Sequence, residues 1–372
     1  MPEFSSVSKL IEYYTDVFET YNKLAGISFT PVNQTDKNIP NKYFIKANLH
    51  GIGYAYYSDG NTGQNDSSLQ AYLGVGWTIL HEIAHGYQGG FMEQSSLDVD
   101  EVWNNTYAEY YERKYYGADY PAKGTQTANG DKEIREASLN ESWQEEHKAF
   151  NSWSGSDKER ILYLFMQKGG EEGFINFNQE YRKLANTTNF VKENYDLFDL
   201  MSKYYGEASG FDFTPVIESV EGTTSQALQQ DTEYKNRKAV ASLKELVSAS
   251  ELANAQKKLN LESYLSFVDT DQMAELHLNG EATIKLNIDD FSQIEGQDLI
   301  VKNGAKVVKQ VKVTAQVLNL GTLPKGIYTV YAPTGNSQKY TIDQRYLKVQ
   351  NDENTLNMKY TPKKNEFFHK SS

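Results

Sequence analysis

Apolar residues near the start of the chain recur every three or four positions. In "VSKLIEYYTDVFETYNKLAG" the residues Val7, Leu10, Ile11, Tyr14, Val17, Phe18, Tyr21 and Ala25 share a helical face, and Gly26 is placed to end the helix. The pattern then changes. "KYFIKANLHGIGYAYYSDG" is rich in aromatic and β-favouring residues and closes on a turn signal, which predicts one or two strands. From Leu73 to about Tyr205 the spacing is helical again, interrupted by loops such as "GADYPAKGTQTANGD". "ERILYLFMQKGG" and "NYDLFDLMSKYYG" predict helices that end at glycine, and "GEASGFDFTPV" breaks the helical run.

The polar stretch "EGTTSQALQQDTEYKNRK" is the best boundary, and one more helix is expected after it with Val240, Leu243 and Val247 on one side. Beyond about Leu261 the period becomes two. "ATIKLNI" alternates, while "VVKQVKV" and "GIYTVYA" are rich in β-branched and aromatic residues with turn residues between them, as in a β-sandwich. The expected architecture is α+β. Residues 1–225 form a mainly helical domain with a small β-sheet, 226–262 a helical linker or subdomain, and 263–372 a β-sandwich-like domain.

Composition narrows the function classes. A hydrophobic content of 39% over 372 residues is enough for packed cores. The net charge of −13 argues against nucleic-acid binding and against adhesion to anionic membranes, both of which need basic surface. With no cysteine, disulfides and thiolate ligands are excluded. No apolar run reaches the roughly 20 residues of a membrane span. The opening "MPEFSSVSKL" lacks the basic-then-apolar layout of a signal peptide.

The chemistry concentrates in "GWTILHEIAHGYQGGF", residues 76–91. Residues four apart lie on one helix face, so His81 and His85 can turn imidazole nitrogens to one zinc ion. Glu82 is offset by about 100°, beside the metal rather than on it, where a general base for an attacking water belongs. The competing reading is a core helix that happens to carry two histidines. Its small and apolar neighbours Trp77, Ile79, Leu80, Ile83 and Ala84 favour the metal, because they would hold ligands rigid and exclude water.

A third ligand is required, and neither a cysteine nor a nearby histidine supplies one. "LDVDEVWNNTYAEYYERKYYG" predicts a second helix, capped by Asp98. Glu101, Asn105, Ala108 and Glu112 share one stripe on it. Glu101 is the candidate ligand, with the amide of Asn105 one turn later to hydrogen-bond a ligating group. A solvent-facing polar stripe is the alternative, and Glu93, Asp98, Asp100 and Glu109 are other carboxylates within reach.

Together, "HEIAH" and the Glu101 of "EVWNN" resemble the enhancin-type zinc metallopeptidases, which include baculovirus enhancins and bacterial mucin-degrading proteases. "YYTDVFETYNKLAG", "GIGYAYY" and "YYGEASGFDFTPV" resemble further landmarks of that family's catalytic domain, so the likeness spans about residues 7–220. The resemblance implies one zinc on His81, His85 and Glu101, with Glu82 as catalytic acid/base. It also implies a secreted endopeptidase acting on mucin-like O-glycosylated proteins. Tyr54, Tyr56 and Tyr57 of "GIGYAYY" are candidates for substrate contact on an edge strand, core packing being the alternative. His50 and His147 have no spacing that links them to the site. The competing functional readings are a glycan- or mucin-binding adhesin with a structural zinc site, and an exopeptidase. The second is weakened by the lack of a G-x-M-x-N strand.

Overall fold

The computed structural model describes residues 4–38, 44–47, 55–58, 61–64, 71–92, 98–125 and 131–363. Two compact units emerge: Met1–Ser209 with Ile217–Leu228, and Gly210–Val216 with Gln229–Ser372.

The first unit is mainly helical. Helix α1 (Val7–Leu24) starts where the Ser6 side chain accepts from the Lys9 N–H, and it buries Tyr13, Val17, Tyr21 and Leu24. Just beyond it, Gly26 takes a φ of +65°, the left-handed conformation that ends helices. Strands β1 (Phe44–Ala47), β2 (Ala55–Ser58) and β3 (Asn61–Gln64) form a sheet of order β1-β3-β2. β1 runs parallel and β2 antiparallel to β3. Among the described residues β2 is therefore an edge strand.

Helices α2 (Trp77–His85), α3 (Asp100–Tyr116), α4 (Tyr120–Lys123), α5 (Asp131–Asn140), α6 (Gly155–Ala185) and α7 (Leu197–Ser209) follow. Aromatic side chains bind them together. Trp103 of α3 stacks on Phe174 of α6, and Phe177 stacks on Tyr205 of α7. The helix expected to end at "KGG" does break there: Gly170 leaves the helical region at φ +76°, and helical turns then resume to Ala185. By contrast, α7 runs past Gly206 to Ser209 and stops at Gly210, whose φ is +76°. A mid-helix glycine costs only about 1 kcal/mol, which the buried α7 face offsets. α6 and α7 approach closely at Gly169, where a Cβ would collide with the Tyr205 ring. Gly169→Val is therefore expected to destabilise this unit by about 1–3 kcal/mol, read as a lower urea midpoint.

The second unit differs from expectation at its start. Val240 lies in strand β5 (Lys238–Ser242), which pairs with β4 (Phe211–Asp212) and β6 (Phe267–Asp269), and Leu243–Leu246 is a single helical turn. Ala239, Val240 and Ala241 are all buried, so this strand lacks the alternation that would mark it. Spacing across two short elements mimicked one helix.

Helices at Ala249–Lys258 and Thr270–Ala274 precede a β-sandwich, built from β7 (Asn279–Asn287), β8 (Asp298–Asn303), β9 (Lys306–Lys312), β10 (Val317–Pro324), β11 (Gly326–Tyr331), β12 (Tyr340–Ile342), β13 (Tyr346–Val349) and β14 (Glu353–Pro362). Its two sheets have orders β10-β7-β14-β12 and β13-β11-β8-β9. Alternate residues such as Ala282, Ile284 and Leu286 from the first sheet and Leu299, Val301, Tyr328 and Val330 from the second form one core. The protein is thus α+β, helical first and strand-rich last. Among the described residues no helix is long and apolar enough to cross a membrane.

Candidate metal centre

α2 is only nine residues long and has no side-chain cap at Gly76, so packing has to hold it. Ile79, Leu80, Ile83 and Ala84 are fully buried, and the Tyr21 hydroxyl of α1 donates to the Leu80 carbonyl at 3.0 Å. The opposite face presents His81 and His85, with ring centroids 4.8 Å apart and planes at 82°. Trp77 packs on the His81 ring at 4.5 Å.

α3 delivers the third group from its first turn. Glu101 Oε2 lies 3.3 Å from His81 Nε2 and 3.4 Å from His85 Nε2. A tetrahedral ion with ligand bonds of about 2.0–2.1 Å separates its donors by about 3.3–3.4 Å, so the spacing of these three groups fits one. Their donor atoms are the set of three that could hold a metal ion among the described residues. Two imidazoles and one carboxylate suit zinc and leave a fourth position open.

The surroundings prepare the donors. Burial, the largest cause, pushes the His81 pKa down, which favours the neutral ring a metal needs. His81 Nδ1 lies 2.5 Å from Asn105 Oδ1. Asn105 offers an acceptor there, so Nδ1 carries the proton and Nε2 keeps its lone pair for a cation. Asn105 is tied back in turn, donating to the Glu101 carbonyl at 3.1 Å. Glu82 is pushed up to about 7, first by burial and then by the Glu101 charge. A carboxylate poised there can take and return a proton near neutral pH.

Glu82, His85 and Glu101 open onto a cavity of about 330 Å³, walled also by Ala55, Tyr56, Tyr57 and Asp100. Tyr56 lies across Gly63 of β3, a position where any Cβ would collide with its ring. The structure thus brings His81, Glu82, His85, Glu101, Asn105, Tyr56 and Tyr57 together. Tyr54, His50 and Glu93 lie outside the described residues. His147 is exposed and belongs to no donor group among the described residues.

One expectation for α3 is corrected, and one alternative falls away. Asp98 does not cap it, because Val99 occupies the cap position and no side chain bonds there. Nor does the stripe after Glu101 face solvent: Asn105, Ala108 and Glu112 are buried. Sequence reasoning also missed Asn104, fully buried against both histidines. It lies three residues after Glu101, a spacing that also shares a helix face, and the signal that could have found it is the polar pair "NN" between Trp103 and Thr106.

The family described as peptidase M60, enhancin and enhancin-like, matches residues 2–215. A viral-enhancing factor of Pseudalatia unipuncta granulosis virus is 25% identical over 358 residues, 91% of this chain. The chain spans 39% of that relative's length. In fold, it resembles a functionally unknown conserved protein from Bacillus anthracis str. Ames at a TM-score of 0.50 and 14% identity, over 90% of this chain and 66% of that one. The M60 catalytic domain of Clostridium perfringens ZmpC, in complex with the sialyl T antigen, aligns at a TM-score of 0.44 and 14% identity, over 87% of this chain and 61% of that one.

Proposed function

Because the family match covers more than half of its length, the chain belongs to the peptidase M60, enhancin and enhancin-like family, and from that premise we propose that it is a secreted zinc endopeptidase acting on mucin-like O-glycosylated proteins. The observation that carries this reading is the donor set of His81, His85 and Glu101 at tetrahedral spacing, with Glu82 beside it on an open cavity.

A zinc ion held by those three residues supplies Lewis acidity toward the scissile carbonyl and the attacking water. Glu82 takes a proton from that water as it attacks. The same carboxyl then gives the proton to the departing amine, so it ends the cycle as it began. Asn105 fixes the tautomer of His81 throughout. The edge strand β2 runs along the cavity, in place to receive an extended peptide, and Tyr56 and Tyr57 line it as surfaces on which a peptide or a sugar can rest.

The test is mass spectrometry of the products from a glycosylated mucin and from its deglycosylated form. Cleavage confined to the glycosylated form supports the reading, whereas equal cleavage of both removes the glycan from it. Metal removal gives a second test. Dialysis against a chelator is expected to abolish hydrolysis, and about one equivalent of zinc per chain to restore it.

A further inference from the structure

Asn104 has no role in the mechanism above, yet it is the polar side chain most deeply enclosed beside the donor set. It is fully buried. Its Nδ2 lies 3.0 Å from His81 Nδ1, 3.3 Å from His81 Nε2, 3.3 Å from the His81 carbonyl oxygen and 3.1 Å from His85 Nε2. Its Oδ1 is buried and has no hydrogen-bond partner among the described residues. One amide nitrogen, on α3, therefore touches both imidazoles and the backbone of α2.

The hydrogen-bond inventory limits what this nitrogen can do. His81 Nδ1 already pairs with Asn105 Oδ1 at 2.5 Å, so it carries a proton and cannot accept another. Both Nε2 lone pairs belong to the cation, so the His81 carbonyl is the acceptor left for Nδ2, and the nitrogen otherwise rests in contact with both rings. The unpartnered Oδ1 is a standing cost that a well-packed apolar residue would not carry. Packing alone does not explain an asparagine here.

We propose that Asn104 is a positioning residue of the metal centre: wedged between α2 and α3, its amide sets the mutual orientation of the His81 and His85 rings. Asn105 fixes one ring through its far nitrogen. Asn104 fixes how the two rings stand relative to each other and to Glu101, three residues before it on the same helix. The inference rests on the zinc reading of the site.

Asn104→Leu keeps the side chain's size and removes its amide. In the metal-free protein the thermal midpoint is expected to stay level or rise, because a half-satisfied buried amide is gone. Zinc affinity, titrated against a competing chelator, is expected to fall about 10–100-fold. In the cobalt-substituted protein the visible d–d absorption should change in shape or intensity, since ligand orientation has changed. Asn104→Ala, measured the same way, guards against an effect of the leucine's bulk. Wild-type zinc affinity and an unchanged cobalt spectrum in both variants would overturn the role of Asn104 while leaving the zinc centre standing. If the wild-type protein itself takes up no zinc, the zinc reading fails, and this inference falls with it.

Discussion

Replacing Glu82 by glutamine is expected to lower peptide hydrolysis by a factor of about 10²–10⁴ and to leave fold and metal content unchanged. Glutamine has the shape of the carboxylic acid but cannot exchange a proton, so it removes both transfers assigned to this residue. The environment should accept the change, because burial and the neighbouring Glu101 charge already push the Glu82 carboxyl up to about 7, toward its neutral form. His81, His85 and Glu101 are untouched, so zinc should still bind at about one equivalent per chain. The check pairs kcat on a glycosylated mucin fragment with metal analysis of the same preparation. Activity near that of the wild type would remove Glu82 from the reaction. Lost zinc together with lost activity would make the substitution a structural one.

The parts of this protein governed by one local period were legible from its sequence. The spacing through Val17 and Tyr21, closed by Gly26, marks α1, although Val7 and Ile11 of the same expected face are exposed. Alternation along "ATIKLNI" defines β7, because one face meets the sandwich core and the other meets water. His81 and His85 share a face by helical geometry alone. Glu101 was harder. Spacing places several carboxylates within reach, and choosing among them takes the angle at which α3 returns to α2, which no local pattern encodes. Buried polar residues were harder still. A stripe of Asn105, Ala108 and Glu112 looks solvent-facing in one dimension, yet Asn105 meets His81 of α2, and Thr125 supplies two hydrogen bonds to Glu112. Val240 failed for the opposite reason: a strand buried on both faces has no period to read.

The same enclosure makes Glu109→Ala the stability variant with the largest expected effect. Glu109 lies two turns beyond Glu101 on α3, with its side chain 1% exposed. Its Oε1 accepts from Arg113 at 2.5 Å and lies 3.2 Å from an Arg160 guanidinium nitrogen. Removing it leaves buried guanidinium charge uncompensated, at a cost of about 3–5 kcal/mol, a large share of the roughly 5–15 kcal/mol that holds a typical protein folded. Because α3 carries Glu101, Asn104 and Asn105, zinc affinity should fall with the urea midpoint. Glu159, across a cavity with room for about one water, should behave oppositely. Burial first, and then the Glu109 charge, push its carboxyl up to about 8 from an ordinary 4.5. Below about 4.5 it is protonated in both the folded and the unfolded chain and costs nothing. Between about 4.5 and 8 the unfolded chain ionises first, so this group makes stability fall as pH rises, and above about 8 the cost is constant. Glu159→Gln removes that slope. Its urea midpoint should exceed the wild type's by an amount that grows through this window and then levels off, whereas Glu109→Ala should sit below the wild type throughout. If both variants shifted in the same direction at pH 8, the assignment of Glu109 as the charge that pairs with the arginines, and of Glu159 as the excess acid, would be wrong.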